Sequence, residues 1–210
     1  MTRLSMVGAI AVAAVCSGCG IKRVPGNILE KLPYEAKIEL LEAENDLALA
    51  VDRVDEAKNE FERTRKQIRR AKERLDAAKS EVGRAEDDLS REVAELAVVE
   101  AEKRVEWLRA SQRINGKEED LADQNLDCAY TRYELARLNA ARKAKLEGSE
   151  ALDPEVFQGQ VTSCEEDYAE LKENLKESNA EAEQFRADWD QARAALAKKT
   201  FDARASPYVE

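Results

Sequence analysis

Large apolar residues recur at every seventh position along the first half of the chain, from Leu40 to Leu96. Most of the positions three residues further on hold alanine. A heptad repeat sustained over this length is typical of a long helix that packs along a seam, and it predicts an all-α, elongated coiled coil. We take the first seven large residues of the repeat as a candidate oligomer seam: Leu40, Leu47, Val54, Phe61, Ile68, Leu75 and Val82.

A second apolar stripe, spaced alternately by four and three residues, predicts a shorter helix over residues 163–200. Gly148 and Pro154 predict a turn over 148–162, so that this helix folds back antiparallel on a long helix over 34–147. Residues 201–210 are expected to form a tail. Two alternatives stay open at Asn115-Gly116: the long helix continues there with a kink, or the chain turns there.

The shorter helix can cover only part of the long one in either arrangement. Residues 34–80 would then keep an apolar seam that has no partner inside the chain. An exposed stripe of this length is not expected to remain in water. The sequence therefore predicts a homo-oligomer or a helical partner protein.

Composition and charge agree with a helical rod that is not an enzyme. Ala, Glu, Lys, Leu and Arg supply 118 of the 210 residues, as in long coiled coils, and the net charge is -10. An acidic chain is a poor partner for nucleic acid, because phosphate binding needs a basic surface. Histidine is absent, and no nucleophile motif or phosphate loop occurs. We expect no catalytic residues, no metal, no cofactor and no small-molecule substrate.

Residues 1–18 have the parts of a secretory signal: Arg3, an apolar run of about ten residues, and small residues at its end. The run is too short to span a bilayer. Ser17-Gly18-Cys19 resembles the lipobox of bacterial lipoproteins, although Cys16 stands where that family usually has leucine. The resemblance implies that Cys19 becomes the first residue of the mature chain and carries acyl chains such as palmitate. The alternative is an ordinary secretory signal with an unrelated cysteine.

Residues 19–33 contain Pro25, Gly26 and Pro33 and predict the lipidated cysteine followed by a linker. Gly20 stands where lipoproteins retained in the inner membrane tend to have aspartate. By the same resemblance, the protein is expected in the outer membrane of the cell envelope, facing the periplasm.

Cys128 and Cys164 are the two thiols left in the mature body after Cys19. In an oxidising compartment an even pair is normally bonded, so a disulfide across the turn at 148–154 is predicted. Two buried free cysteines are the alternative.

Seven basic residues cluster within residues 63–74, where only one acid occurs. The cluster predicts either a solvated face of the coil or a docking patch for an anionic partner. We call it the basic patch: Arg63, Arg65, Lys66, Arg69, Arg70, Lys72 and Arg74.

These features together predict a lipid-anchored periplasmic coiled-coil lipoprotein with a structural or scaffold function in the cell envelope. Two alternatives share the same features. One is an accessory subunit of an envelope-spanning secretion, efflux or motility complex. The other is a periplasmic holdase chaperone.

Overall fold

A computed structural model describes residues 20–200 of the chain, and residues 1–19 and 201–210 lie outside the description. Within residues 20–200 the chain is helical and contains no strand, which confirms the predicted all-α, elongated fold. Its four α-helices are α1 (Gly26–Leu29), α2 (Tyr34–Val82), α3 (Asp88–Lys143) and α4 (Pro154–Thr200).

Helix α3 is central: α2 packs along one side of it and α4 along another. The chain runs up α2, returns along α3 and runs up again along α4. We call the end with the α3–α4 turn the base and the end with the α2–α3 turn the tip. Helix α3 has 56 residues, so the rod is about 85 Å long at 1.5 Å per residue.

The turn at the tip corrects the prediction of one helix over 34–147. Helix α2 ends at Val82, and Asp87 begins α3 with a capping box. The Asp87 carboxylate accepts from the Ser90 backbone N–H at 2.7 Å, and the Ser90 hydroxyl accepts from the Asp87 N–H at 3.2 Å. The seven-residue spacing of large apolar residues continues across this turn to Leu89. The periodicity therefore gives no sign that the chain turns here.

The chain does not turn at Asn115-Gly116, where α3 continues without a break. The Asn115 side-chain amide donates to the Thr64 hydroxyl at 2.8 Å and to the Glu60 carbonyl at 3.3 Å. Gly116 faces the Phe61 ring, and a Cβ there would lie 3.7 Å from it. Between α2 and α3, Asn115 therefore forms a polar layer, and the small Gly116 leaves room for the Phe61 ring. A polar layer of this kind aligns two helices in one register.

Helix α4 begins at Pro154, nine positions before the predicted start, so the predicted turn over 148–162 is too long. The apolar stripe predicted for this helix is its inner face, which we call the seam of α4. Four residues of that stripe are completely or almost completely buried: Cys164, Ala182, Trp189 and Leu196. The turn itself needs Gly148, whose φ of 87° lies in the left-handed region that favours glycine.

The candidate oligomer seam is the inner face of α2. Ile68 packs with Val105 and Leu108 of α3, and Leu40 packs with Ala140 near the base. All seven positions are buried or half-buried within the single chain: Leu40, Leu47, Val54, Phe61, Ile68, Leu75 and Val82. The expectation of an unpartnered seam is therefore wrong, because α3 returns along α2. The seam supplies no argument for self-association.

Candidate functional surfaces

The predicted lipidation residue, Cys19, lies just outside the described residues, and so does the predicted signal 1–18. Their assignment stays a prediction. Gly20, the next residue, is the first one described.

Residues 20–33, which were predicted to be a linker, pack on the base of the rod. Val24, Ile28 and Leu32 are buried. Val24 and Ile28 share a core cluster with Leu138 of α3 and Phe157 of α4. The segment is therefore part of the packed base, together with the lower ends of α2, α3 and α4, and is not a spacer.

Backbone hydrogen bonds hold the first residues of this segment to both neighbouring helices. The Val24 N–H donates to Glu134 Oε2 of α3 at 2.7 Å, and the Lys22 N–H donates to Gln160 Oε1 of α4 at 3.2 Å. Glu134 is buried, and its other oxygen accepts from the guanidinium of Arg137. A buried carboxylate is costly unless it is paired in this way. Glu134 thus ties the start of the described chain to the central helix.

Cys128 of α3 and Cys164 of α4 form the predicted disulfide, with sulfur atoms 2.07 Å apart and Cα atoms 5.4 Å apart. The early start of α4 makes this pairing geometrically feasible, because ten helical residues already lead back along α3 before Cys164. Gln124 adds a hydrogen bond to Cys164 Sγ at 3.2 Å. The bridge joins α4 to the central helix about a quarter of the way up the rod.

The basic patch lies on the upper half of α2, and all seven of its residues are exposed. Arg63 and Arg65 form ion pairs with Glu60 and Glu62 one helical turn earlier, at 3.6 and 3.2 Å. Exposed pairs of this type contribute little and leave the cations accessible. The structure therefore keeps both interpretations of the patch, the solvated face and the docking surface.

A buried polar cluster near the tip was not predicted. Glu100 of α3 is completely buried, and its Oε1 accepts a hydrogen bond from the Trp189 indole N–H of α4 at 2.6 Å. Trp189 stacks on Trp107, with ring centroids 4.9 Å apart and planes 3° apart. The guanidinium groups of Arg104 and Arg193 lie 5.4 and 5.6 Å from the Trp189 ring centroid. The cluster joins α3 and α4 at the end opposite to the disulfide.

Burial raises the pKa of the Glu100 carboxyl above its ordinary value. The hydrogen bond from Trp189 and the positive charges of Arg104 and Arg193 oppose this rise only in part. The second oxygen of Glu100 accepts no hydrogen bond within the described residues. One signal in the sequence could have indicated the site: Trp189 lies on the α4 seam, and a buried indole N–H needs an acceptor.

Within residues 20–200, no three potential metal ligands come together. No helix of that part is both long enough and apolar enough to cross a bilayer. Comparisons with protein families, with curated proteins and with solved structures give no match.

Proposed function

We propose that this chain is a lipid-anchored scaffold lipoprotein of the bacterial cell envelope, facing the periplasm from the outer membrane. Lipidation rests on the resemblance of Ser17-Gly18-Cys19 to a lipobox. The observation that supports the scaffold role is the docking of residues 20–33 on the base. An anchor at Cys19 would be joined to the rod through a packed segment and would hold it by its lower end. Several acyl chains on one cysteine would make that attachment durable.

The shape of the body supports a mechanical role. In the rod, α2 and α4 pack on two sides of the central helix α3, and the surface is mostly charged. A disulfide near the base and the Glu100–Trp189 cluster near the tip secure α4 to α3 at two distant levels. A rod secured in this way is stiff, and it can place its tip up to about 85 Å from an anchor at its base.

The test is the chemistry of the mature amino terminus. The full chain is expressed in a bacterium with two membranes, and the purified protein is analysed by mass spectrometry. We expect a mature chain that begins at Cys19 and carries diacylglycerol and an N-acyl group, found in the outer-membrane fraction. The Cys19→Ala variant should lose the lipid and the membrane fractionation. A mature chain without acyl groups, or one cleaved elsewhere, would refute the proposal.

The accessory-subunit alternative is favoured by one feature of the tip. A cleft there is lined by Ala85, Leu89, Val93 and Ala97, and Leu89 is 61% exposed. A mostly apolar cleft at the end remote from the anchor suits contact with another protein. Photo-crosslinking from position 89 in cells would test this alternative. A crosslink to one defined envelope protein would favour the accessory subunit, and the absence of any protein adduct would favour the self-contained scaffold.

A further inference from the structure

A second apolar face runs along the first turns of α2. Tyr34, Ile38 and Leu41 follow one another at helical spacing, but unlike the seam residues they are 74%, 48% and 56% exposed. Leu49, two turns further on, is 47% exposed. We call these four residues the base stripe. Helix α2 thus starts with apolar residues on its inner face and on its solvent face.

The base stripe is confined to the lower end of the rod. Beyond Val51, α2 presents no exposed large apolar side chain up to its end at Val82. Single exposed apolar residues are normal on a protein surface. Four on one helix within about 22 Å form a patch that is better covered than solvated.

The position of the predicted anchor indicates what covers the stripe. Gly20 is adjacent to Cys19, and one residue spans only about 3.8 Å. Lys22 and Val24 are hydrogen-bonded to α4 and α3, so the chain that leads to Cys19 is held at the lower end of the rod. A loose linker would let the rod drift from the bilayer, whereas this docked segment would hold the base of the rod, where α2 begins, close to the bilayer.

We propose that the base stripe is a second membrane contact, which lies in the headgroup region of the leaflet that holds the acyl chains of Cys19. This inference rests on the proposed lipidation. Tyrosine is favoured at such interfaces because its ring is apolar and its hydroxyl polar. The rod then leans with α2 toward the bilayer instead of pivoting freely about its anchor.

The contact is apolar and not electrostatic. Between residues 20 and 49, four exposed cations are outnumbered by six exposed carboxylates. A net attraction to anionic lipid is therefore not expected at the base, and burial of apolar side chains supplies the affinity. Vesicles of zwitterionic phosphatidylcholine and phosphatidylethanolamine are accordingly the proper probe.

An environment-sensitive fluorophore tests the contact directly. Leu41→Cys is labelled with a nitrobenzoxadiazole dye in the lipidated mature chain, which is reconstituted into those vesicles. Thr162→Cys is the matched control, because Thr162 is exposed on α4 and lies eight residues after Pro154, as Leu41 lies seven after Tyr34. We expect a blue shift and a several-fold rise in emission at position 41 on vesicles, and almost none at position 162.

Three results would overturn the inference. Emission at position 41 could stay as it is in buffer, which would leave the stripe in water. The two positions could change equally, which would mean that the whole base is immersed. The shift at position 41 could also occur without vesicles and grow with protein concentration, which would assign the stripe to a second copy of the chain.

A tethered chain separates failure of this inference from failure of the proposed function. Residues 20–210, with an amino-terminal hexahistidine tag, are held on the same vesicles by a nickel-chelating lipid. Lipidation of Cys19 is judged by mass spectrometry alone, and the membrane contact is judged by the label at position 41 on the tethered chain. Leu41→Gln in this format should raise the accessibility of a label at Ile38→Cys to an aqueous quencher. Leu89→Gln, which changes an exposed leucine at the tip, should leave that accessibility unchanged.

Discussion

Removal of the Cys128–Cys164 bridge is expected to destabilise the rod through the unfolded chain. The bridge closes a loop with a sequence separation of 36. In the chain-entropy model, a loop of this size contributes about 3–4 kcal/mol to the free energy of unfolding. Cys128→Ala/Cys164→Ala should therefore lower that free energy by about this amount, since alanine fits a buried helix position without adding a polar group.

Urea unfolding of residues 20–210, followed by circular dichroism at 222 nm, measures this loss. That chain contains no other cysteine, so a reductant acts on one bond only. We expect the reduced wild type and the double variant to unfold at nearly the same urea concentration, well below the oxidised wild type. Hydrogen exchange should show faster opening of α4 than of α2, because the bridge joins α4 to α3.

Two outcomes would refute this reasoning. A loss smaller than about 1 kcal/mol would mean that loop closure is not what the bridge supplies, because the entropy model allows no such small value for this loop. If the reductant also shifts the urea midpoint of the double variant, then the reductant acts on something other than the bridge.

Three further predictions concern buried side chains, and each is checked by urea unfolding. Because burial raises the pKa of Glu100, the folded state keeps a proton that the unfolded chain releases near pH 4.5, so stability falls as the pH rises through the raised value. Glu100→Gln keeps an acceptor for Trp189 and should flatten this decline, and an unchanged pH profile would count against the assignment. Asn115→Ala breaks two hydrogen bonds and leaves the Thr64 hydroxyl without its donor, so it should lower the free energy of unfolding by about 1–3 kcal/mol. An unchanged free energy of unfolding would mean that the polar layer is dispensable. Leu138→Ala, at a completely buried position, should cost about 2–5 kcal/mol and expose residues 20–33 to protease, and undiminished protection would contradict their packing on it.

Periodicity predicted the helices and their inner faces because the spacing of apolar residues is a local property of the chain. The seams along α2 and α4 lie where the spacing of apolar residues places them. The disulfide, which was predicted from the even pair of cysteines, joins α3 to α4. Glycine positions were a weaker guide to where the chain turns. Gly116 lies inside α3, where a small residue lets the Phe61 ring approach, whereas Gly83 lies at the turn within an unbroken heptad count.

The turn at residues 83–87 was missed because its signals are local hydrogen bonds and not breaks in the pattern. Asp87 and Ser90 form a capping box, but their sequence, Asp-Asp-Leu-Ser, lacks the glutamate or glutamine that marks such boxes. Leu89 occupies a heptad position and would belong to the seam of a continuous helix. It is exposed at the tip because the chain has turned before it.

The contacts that bear on function were the least predictable. The linker composition of residues 20–33 gives no indication that Val24 hydrogen-bonds to Glu134, which lies 110 residues further on. Glu100 and Trp189 are 89 residues apart, and nothing local links them. Both pairs meet only because two turns bring α2 and α4 alongside α3.

The sequence alone determined that this protein is a helical rod and which residues face the seams of α2 and α4, and it predicted the bond between Cys128 and Cys164 that the structure contains. Only the tertiary structure decided what those seams meet. A heptad seam buries the same apolar surface against its own chain as against another, so the pattern cannot choose between the two. The cap at Asp87 makes that choice by turning the chain, and the seam of residues 34–80 then packs on α3 of the same molecule.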